Sequence, residues 1–362
     1  MGVAAGEVAD LTVARFPDLV IPFHSRWRHF EAGGVDRALH LDDLDGAGRA
    51  RAMIDLTVAS VLLDAGAGPD WSYREADTGL EFARSEGLGV ASWHAFTAGT
   101  FSSDPGRPLQ VDAVGLSRLD ADALAAAFQL GPDNPLVGFD GRVDLLRRLG
   151  AALADQHEVF GTPGRPGGLF DLLVPDPATP TVAAHDILTA LLSSLSRIWL
   201  ADNAIDGEPL GDCWRHDAVP GAGATAGWVP FHKLSQWLTY SLLEPFGWAG
   251  AQVTGLDALT GLPEYRNGGL FLDTGVLRLR DPGWAERGWT PADELVVEWR
   301  ALTVALLDEL AVLVRERLGV TAAQLPLACV LEGGTWAAGR ALAQRLRGGL
   351  PPLTVISDGT VF

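Results

Sequence analysis

The sequence predicts a mainly α-helical protein with a few short strands. Three observations carry this: apolar residues recur at helical spacing over long stretches, strand-like runs are short, and no regular alternation of strand and helix marks a doubly wound sheet. In chain order, helices with extensive apolar faces are read at Gly48 to Asp64, Ala121 to Gln129, Arg142 to His157, Val182 to Leu200, Pro230 to Phe246, Pro291 to Leu318 and Trp336 to Leu346. The strand-like runs are Gly268 to Asp281 and Pro352 to Phe362. A Gly- and Pro-rich stretch, residues 161–180, either joins two helical halves (1–160 and 181–362) or crosses one compact domain as a long loop.

At 362 residues and 48% hydrophobic content the chain can bury a sizeable core. Its 27 basic and 46 acidic groups leave a formal charge of −19, which opposes nucleic acid and anionic lipid surfaces. No nucleic-acid or membrane partner is therefore expected. The two cysteines, Cys213 and Cys329, form no CxxC pair, so neither a disulfide framework nor a thiolate metal site is expected. The N-terminus has no basic region followed by an apolar core, and the greasiest run, Ala301 to Val314, is broken by Asp308 and Glu309. A cytoplasmic protein that needs no metal or other cofactor fits these features.

Five polar clusters stand out from the apolar background. "IPFHSRWRHFEAGG" sets His24, Arg26, Arg28 and His29 among aromatic residues, which suits either an anionic ligand or a structural cluster tied to acidic neighbours. His24 and His29 are five apart, so they do not form a helical metal pair. "LLDAGAGPDWSY" ends an apolar helix at Asp64 and turns through Gly66 and Gly68 toward Trp71. "FHKLSQWLTY" places Lys233, Gln236 and Tyr240 on one helical face, from which Lys233 either snorkels to water or reaches into a polar pocket. "LTGLPEYRNGGLFL" carries four consecutive polar residues, Glu264, Tyr265, Arg266 and Asn267. Near the C-terminus, Glu298 and Arg300 open a long apolar helix, while Glu332 precedes Gly333 and Gly334, which are expected to turn the chain before Thr335 caps the next helix. Acids at the edges of apolar elements gain a raised pKa if truly buried.

Seven motifs in order, "IPFHSRWRHFEAGGVDR", "LLDAGAGPDWSY", "GLGVASWHAFTAGTFSSDP", "GEPLGDCWRH", "VPFHKLSQWLTYSLLEP", "LTGLPEYRNGGLFLDTGVL" and "SDGTVF", resemble the uracil catabolism protein 4 family, whose members act in a reductase-independent route of uracil degradation. A more distant resemblance is to queuosine salvage enzymes, which hydrolyse the N-glycosidic bond of queuosine 5′-monophosphate. Matched residue by residue, their run "ADYR" falls on Glu264, Tyr265 and Arg266, their "VEIRA" on Glu298 and Arg300, and their late acid and tryptophan on Glu332 and Trp336. Their apolar helix ending in Asp falls on Asp64 with Trp71 following, and their Lys and Gln helix on His232, Lys233 and Gln236. Two departures accompany the match: aspartate becomes Glu264 and Glu332, moving the carboxylate by about 1.5 Å, and "PQ" becomes Asn267 and Gly268.

These resemblances imply a helical fold related to DNA glycosylases of the helix-hairpin-helix type and a ribosylurea-type substrate, with or without a 5′-phosphate. Cleaving its C1′–N bond would release urea through an oxocarbenium-like transition state. The implied catalytic carboxylates are Glu264, Glu332 and Asp64. The implied substrate contacts are Arg26, Arg28, His29, Trp71, His232, Lys233, Gln236, Tyr265, Arg266, Asn267, Glu298, Arg300 and Trp336. Arg266 would keep Glu264 ionised if their side chains meet. Glu264→Gln would then lower turnover while leaving stability little changed or raised. An amidohydrolase acting on the urea end, or a non-catalytic binding protein, are the rival activities.

Overall fold

The computed structural model describes residues 1–64, 66–176, 178–201 and 203–356. The terminal "SDGTVF" motif lies outside the described residues. Nine helices of nine residues or more are found among the described residues: Gly2–Arg15, Gly46–Leu62, Arg84–Thr97, Phe139–Asp155, Ala184–Leu195, Lys233–Trp248, Tyr265–Asp273, Glu294–Leu318 and Trp336–Arg347. Six of the seven expected helices are in this set and the seventh is the shorter Ala121–Ala127, mostly with ends shifted by a few residues. Strands are only two or three residues long and occur in two-stranded pairs, for example Ser72–Arg74 antiparallel to Glu81–Ala83 and Thr181–Ala183 parallel to Gln252–Thr254.

Gly46–Leu62 is the central helix. Asp45 caps it, its carboxylate accepting from the Gly48 amide at 2.6 Å, and nearly every side chain from Ala52 to Leu62 is buried. A helix apolar on all sides has to be surrounded. Here it packs against Lys233–Trp248, Arg84–Thr97 and the short helix Gly168–Leu173. Gly2–Arg15 packs on Glu294–Leu318, and a single apolar cluster runs from Ala4 to Leu342.

The Gly- and Pro-rich stretch lies across the central helix. Asp55, fully buried on that helix, accepts from Arg165 Nη2 at 2.6 Å, the Gly167 amide at 2.6 Å and the Val111 amide at 3.0 Å. Gly167 has no room for a side chain, since a Cβ there would sit 2.7 Å from the Arg51 backbone carbonyl. Asp55→Asn leaves one acceptor for three charged or backbone donors. It is expected to cost about 1.5–3 kcal/mol, the range for hydrogen bonds to a charged group, read as a lower urea midpoint with an unchanged slope.

Two local expectations are corrected. The strand-like run Gly268 to Asp281 is helical as far as Asp273 and turns and loop beyond it, because Glu264 caps Tyr265–Asp273 and the glycines allow close packing: a Cβ on Gly268 would meet Trp299 at 2.6 Å. Tertiary packing here outweighs the intrinsic helix cost of glycine. Gly333 and Gly334 do not turn the chain either. Helix Leu327–Val330 continues through a π-helical turn, Leu331–Thr335, into Trp336–Arg347. The glycines are needed because this turn presses on the first helix, where a Cβ on Gly334 would lie 2.6 Å from the Val8 carbonyl oxygen. Thr335 has helical dihedrals and makes no side-chain cap.

Candidate functional site

A cavity of about 980 Å³ opens where the loop after the central helix meets the starts of Arg84–Thr97, Lys233–Trp248 and Tyr265–Asp273 and the π-helical turn. Its wall brings together Arg28, His29, Asp64, Lys233, Glu264, Tyr265, Arg266, Glu332 and Trp336, which lie far apart in the chain.

Glu264 owes its position to helix capping. Its two carboxylate oxygens accept from the Arg266 amide at 2.7 Å and the Asn267 amide at 2.5 Å. Desolvation raises its pKa above the ordinary glutamate value, opposed by those two amides and by the charges of Lys233 and His24. The expected meeting with the Arg266 guanidinium does not occur; it is the Arg266 backbone that holds the carboxylate. The guanidinium lies over the Tyr265 ring, donates from Nη1 to the Gly349 carbonyl at 3.1 Å, and keeps a buried Nε with no hydrogen-bond partner. Arg266 has no carboxylate within ion-pair distance among the described residues, so it is a candidate anion ligand on the cavity wall.

Glu332 is projected by the π-helical turn, a distortion that often aims functional side chains. Its carboxylate meets His24 Nδ1 at 2.9 Å and Arg15 Nη2 at 3.2 Å. Arg15 also donates to the Glu332 carbonyl at 2.5 Å, which clamps the turn. Burial disfavours the Glu332 charge, but the His24 hydrogen bond and the charges of His24 and Arg15 prevail and hold its pKa below the usual value.

Asp64 lies where the central helix ends and pairs with Arg26 Nη1 at 3.1 Å. Arg26 is wholly buried, with Nε donating to Ser60 Oγ at 2.7 Å and Nη1 approaching His29 Nδ1 at 3.0 Å. That last contact makes Nδ1 the acceptor, so Nε2 carries the hydrogen of a neutral imidazole. Burial, then the charge of Arg26, lowers the His29 pKa well below its ordinary value, which agrees with a neutral ring. One oxygen of Asp64 and Arg26 Nη2 are both buried without hydrogen-bond partners. Arg28 is neutralised by Glu244 at 2.7 Å and Glu31 at 3.1 Å. Arg26 and Arg28 thus both engage in internal ion pairs, while Arg28 and His29 also line the cavity.

Several expected contacts stand off the cavity wall. Trp71 is a core residue, stacked on Phe128 with its Nε1 donating to the Phe128 carbonyl at 3.0 Å. Gln236 and Asn267 are buried behind Lys233 and Glu264, and Glu298 is half-exposed beside Arg280 at 3.8 Å. Arg300 is buried in a two-pronged pair with Asp212, both contacts at 2.7 Å, over the Phe231 ring. Asp212 also accepts from the Lys233 amide at 2.9 Å, and its carbonyl accepts from the amides of Phe231 and His232. His232 there adopts a left-handed backbone, φ 45°, at the helix start. Asp212, itself held by Arg300, thus fixes the backbone of Lys233, and neither residue lines the cavity.

A model of the family described as "Protein of unknown function (DUF1688)" matches residues 1–362. The chain belongs to this family. Uracil catabolism protein 4 of Lachancea kluyveri is 42% identical over 378 residues, covering 94% of this chain and 85% of its own. Protein urg3 of Schizosaccharomyces pombe is 40% identical over 373 residues, covering 98% of this chain and 90% of its own. The resemblance drawn from the seven motifs is thereby shown.

Within this DUF1688 chain, three residues that line or support the site carry no assignment from the sequence: Arg15 and Trp237 on the cavity wall, and Asp212, which accepts from the Lys233 amide behind it. Arg15 sits at the end of a helix that had no motif, and nothing in its neighbours signals a partner 317 positions away. Asp212 does lie in the quoted "GEPLGDCWRH" motif, where an acid between Gly211 and Cys213 in an apolar setting is a usable signal. Among the described residues no group of three or more His, Cys, Asp or Glu side chains is placed to hold a metal, and no helix is long and apolar enough to cross a membrane.

Proposed function

We propose that this protein acts in uracil catabolism as an N-glycoside hydrolase, cleaving the C1′–N bond of ribosylurea or its 5′-phosphate to give urea and the free sugar. The observation that carries the reading is the convergence of Glu264, Glu332 and Asp64 with Lys233, His24 and Arg266 on one cavity of about 980 Å³. That volume lies at the upper end of the range for small-molecule sites. The name of the Lachancea kluyveri relative, uracil catabolism protein 4, supports the pathway, and the distant match to queuosine salvage enzymes supports the bond. A helical DNA-glycosylase-like architecture and a cytoplasmic location belong to the same reading.

The geometry suits the chemistry. Positive charge grows at C1′ and the ring oxygen in the transition state, and a carboxylate already fixed by two amides faces it without reorganising. His29 Nε2–H is a neutral donor for a ribose hydroxyl, and Arg266 with Lys233 is the pair assigned to the phosphate. Lys233 has its pKa lowered by burial and then by Arg300, opposed by Asp212, Glu264 and Asp64.

Product analysis tests the reading. Purified protein is incubated with ribosylurea and with its 5′-phosphate, and urea, ammonia and free sugar are measured. Urea and sugar in equal amounts are expected; ammonia without intact urea would replace the proposal with an amidohydrolase, and tight binding without turnover with a carrier.

Two further outcomes follow. Activity needs Glu264 ionised, and its folded-state pKa is raised by burial, so the acid limb of kcat/KM should fall above the ordinary glutamate range; Lys233→Met removes a charge that favours the carboxylate, so in that variant the limb should move further up. With a formal charge of −19, the protein should pass through a duplex-DNA column near physiological ionic strength, and salt-sensitive retention would contradict the absence of a nucleic-acid partner.

A further inference from the structure

We propose that His24 is the proton donor to the leaving nitrogen, and that Glu332 is its positioning residue rather than a catalytic carboxylate. This rests on the glycoside hydrolase reading and names the acid that the reading needs.

The arrangement has three linked parts. Glu332 binds His24 Nδ1 at 2.9 Å, which makes Nδ1 the protonated nitrogen toward the carboxylate and directs the chemistry to Nε2. Nε2 has no hydrogen-bond partner among the described residues and is not among the buried orphan atoms, so it is open to the cavity that His24 lines. Arg15 holds the other Glu332 oxygen at 3.2 Å, and the His24 amide donates to the Ala328 carbonyl at 3.0 Å, so the histidine and its partner are fixed from both sides. An imidazole oriented by a buried carboxylate is the usual way to prepare a general acid or base, because the carboxylate sets the tautomer and stabilises the imidazolium. The other carboxylate, Glu264, has both oxygens held by amides and so is suited to facing positive charge rather than to moving a proton.

Urea is a poor leaving group unless its nitrogen is protonated as the bond breaks. In the proposed step the C1′–N electron pair goes to nitrogen, His24 Nε2 gives up its proton to that nitrogen, and urea departs neutral. Water then adds to C1′ and releases a proton, and the imidazole takes one up, so the cycle closes without a net change in protons. Charged or titratable groups facing His24 are Glu332 from the π-helical turn, Arg15 from the first helix, His29 from its own segment and Glu264 across the cavity.

The test varies the leaving group. Kinetics of the unsubstituted protein, His24→Gln and Glu332→Gln are compared on ribosylurea and on 4-nitrophenyl riboside, whose nitrophenolate departs without a proton. His24→Gln should lose about 10²–10⁴-fold in kcat on ribosylurea, the range for general acid catalysis, and less than about tenfold on the nitrophenyl compound by the same argument. Glu332→Gln should show the same dependence on leaving group with a smaller loss. Thermal unfolding confirms that each variant is folded. Equal losses on both substrates, or near-normal turnover of ribosylurea by folded His24→Gln, would overturn the assignment while leaving the hydrolase reading in place. An unsubstituted protein that releases neither urea nor sugar removes both. If His24→Gln fails to fold, the selective loss must appear in Glu332→Gln, and its absence there overturns the proposal.

Discussion

Glu264→Gln should lower kcat by about 10²-fold or more, the loss found when a preorganised electrostatic contact to a transition state is removed. The substitution keeps the size of the side chain and removes the charge that would face the oxocarbenium ion. A change confined to KM would instead mean that the residue binds substrate and transition state alike. The structure also alters what the same substitution does to folding. Sequence alone suggests stability little changed or raised, but Glu264 caps Tyr265–Asp273 through both oxygens. Gln offers one acceptor to two amides, and loss of a helix cap costs about 0.5–2 kcal/mol. Relief of the buried charge offsets part of that, since burial raises the Glu264 pKa. The expected net result is a modest fall in the denaturation midpoint alongside a much larger fall in turnover. A folded Glu264→Gln protein with near-normal turnover, while Asp64→Asn is dead, would move the catalytic charge to Asp64.

How much of this was legible in the sequence depends on what kind of signal each residue leaves. Helical periodicity marked the central helix and the long Glu294–Leu318 helix, because both bury large apolar faces whose spacing survives in the sequence. It failed at Tyr265–Asp273, where Gly268 against Trp299 and Gly269 against Pro352 break the helical pattern and leave an apparent strand. The motifs placed nine expected residues on one cavity wall. They could not separate residues that line the cavity from residues that hold the lining in place, since both kinds are polar side chains in apolar surroundings. Arg26 and Arg300 illustrate this: each reads as an anion ligand, and each is consumed by a buried carboxylate, Asp64 or Asp212. Pairing across 38 or 88 positions has no local signature.

Asp212→Ala should be among the most destabilising single changes, costing roughly 3–5 kcal/mol, as expected when one partner of a buried ion pair is removed and the other stays. Asp212 is 4% exposed and Arg300 1%. Burial disfavours the Asp212 charge, yet Arg300 and the surrounding hydrogen bonds hold its pKa below the usual value. The sign of the linkage follows: a depressed carboxylate contributes stability above its unfolded pKa and loses it as pH falls through the folded one. Asp212→Ala should therefore matter more at neutral pH than in acid. The pair can be separated from the cap by a double-mutant cycle. Arg300→Met with Asp212→Ala removes both charges, and if the cost is mainly an uncompensated guanidinium, the double variant should be less destabilised than the sum of the singles. The cost that remains is the lost cap on Lys233, whose amide donates to the Asp212 carboxylate at 2.9 Å in the unsubstituted protein. That residue governs where the cavity lysine points, so the folded double variant should keep kcat within about tenfold while its KM for the phosphorylated compound rises. A double variant with strictly additive losses and an unchanged KM would show that the Asp212–Arg300 pair acts on the fold alone and that the Lys233 side chain is held by other contacts.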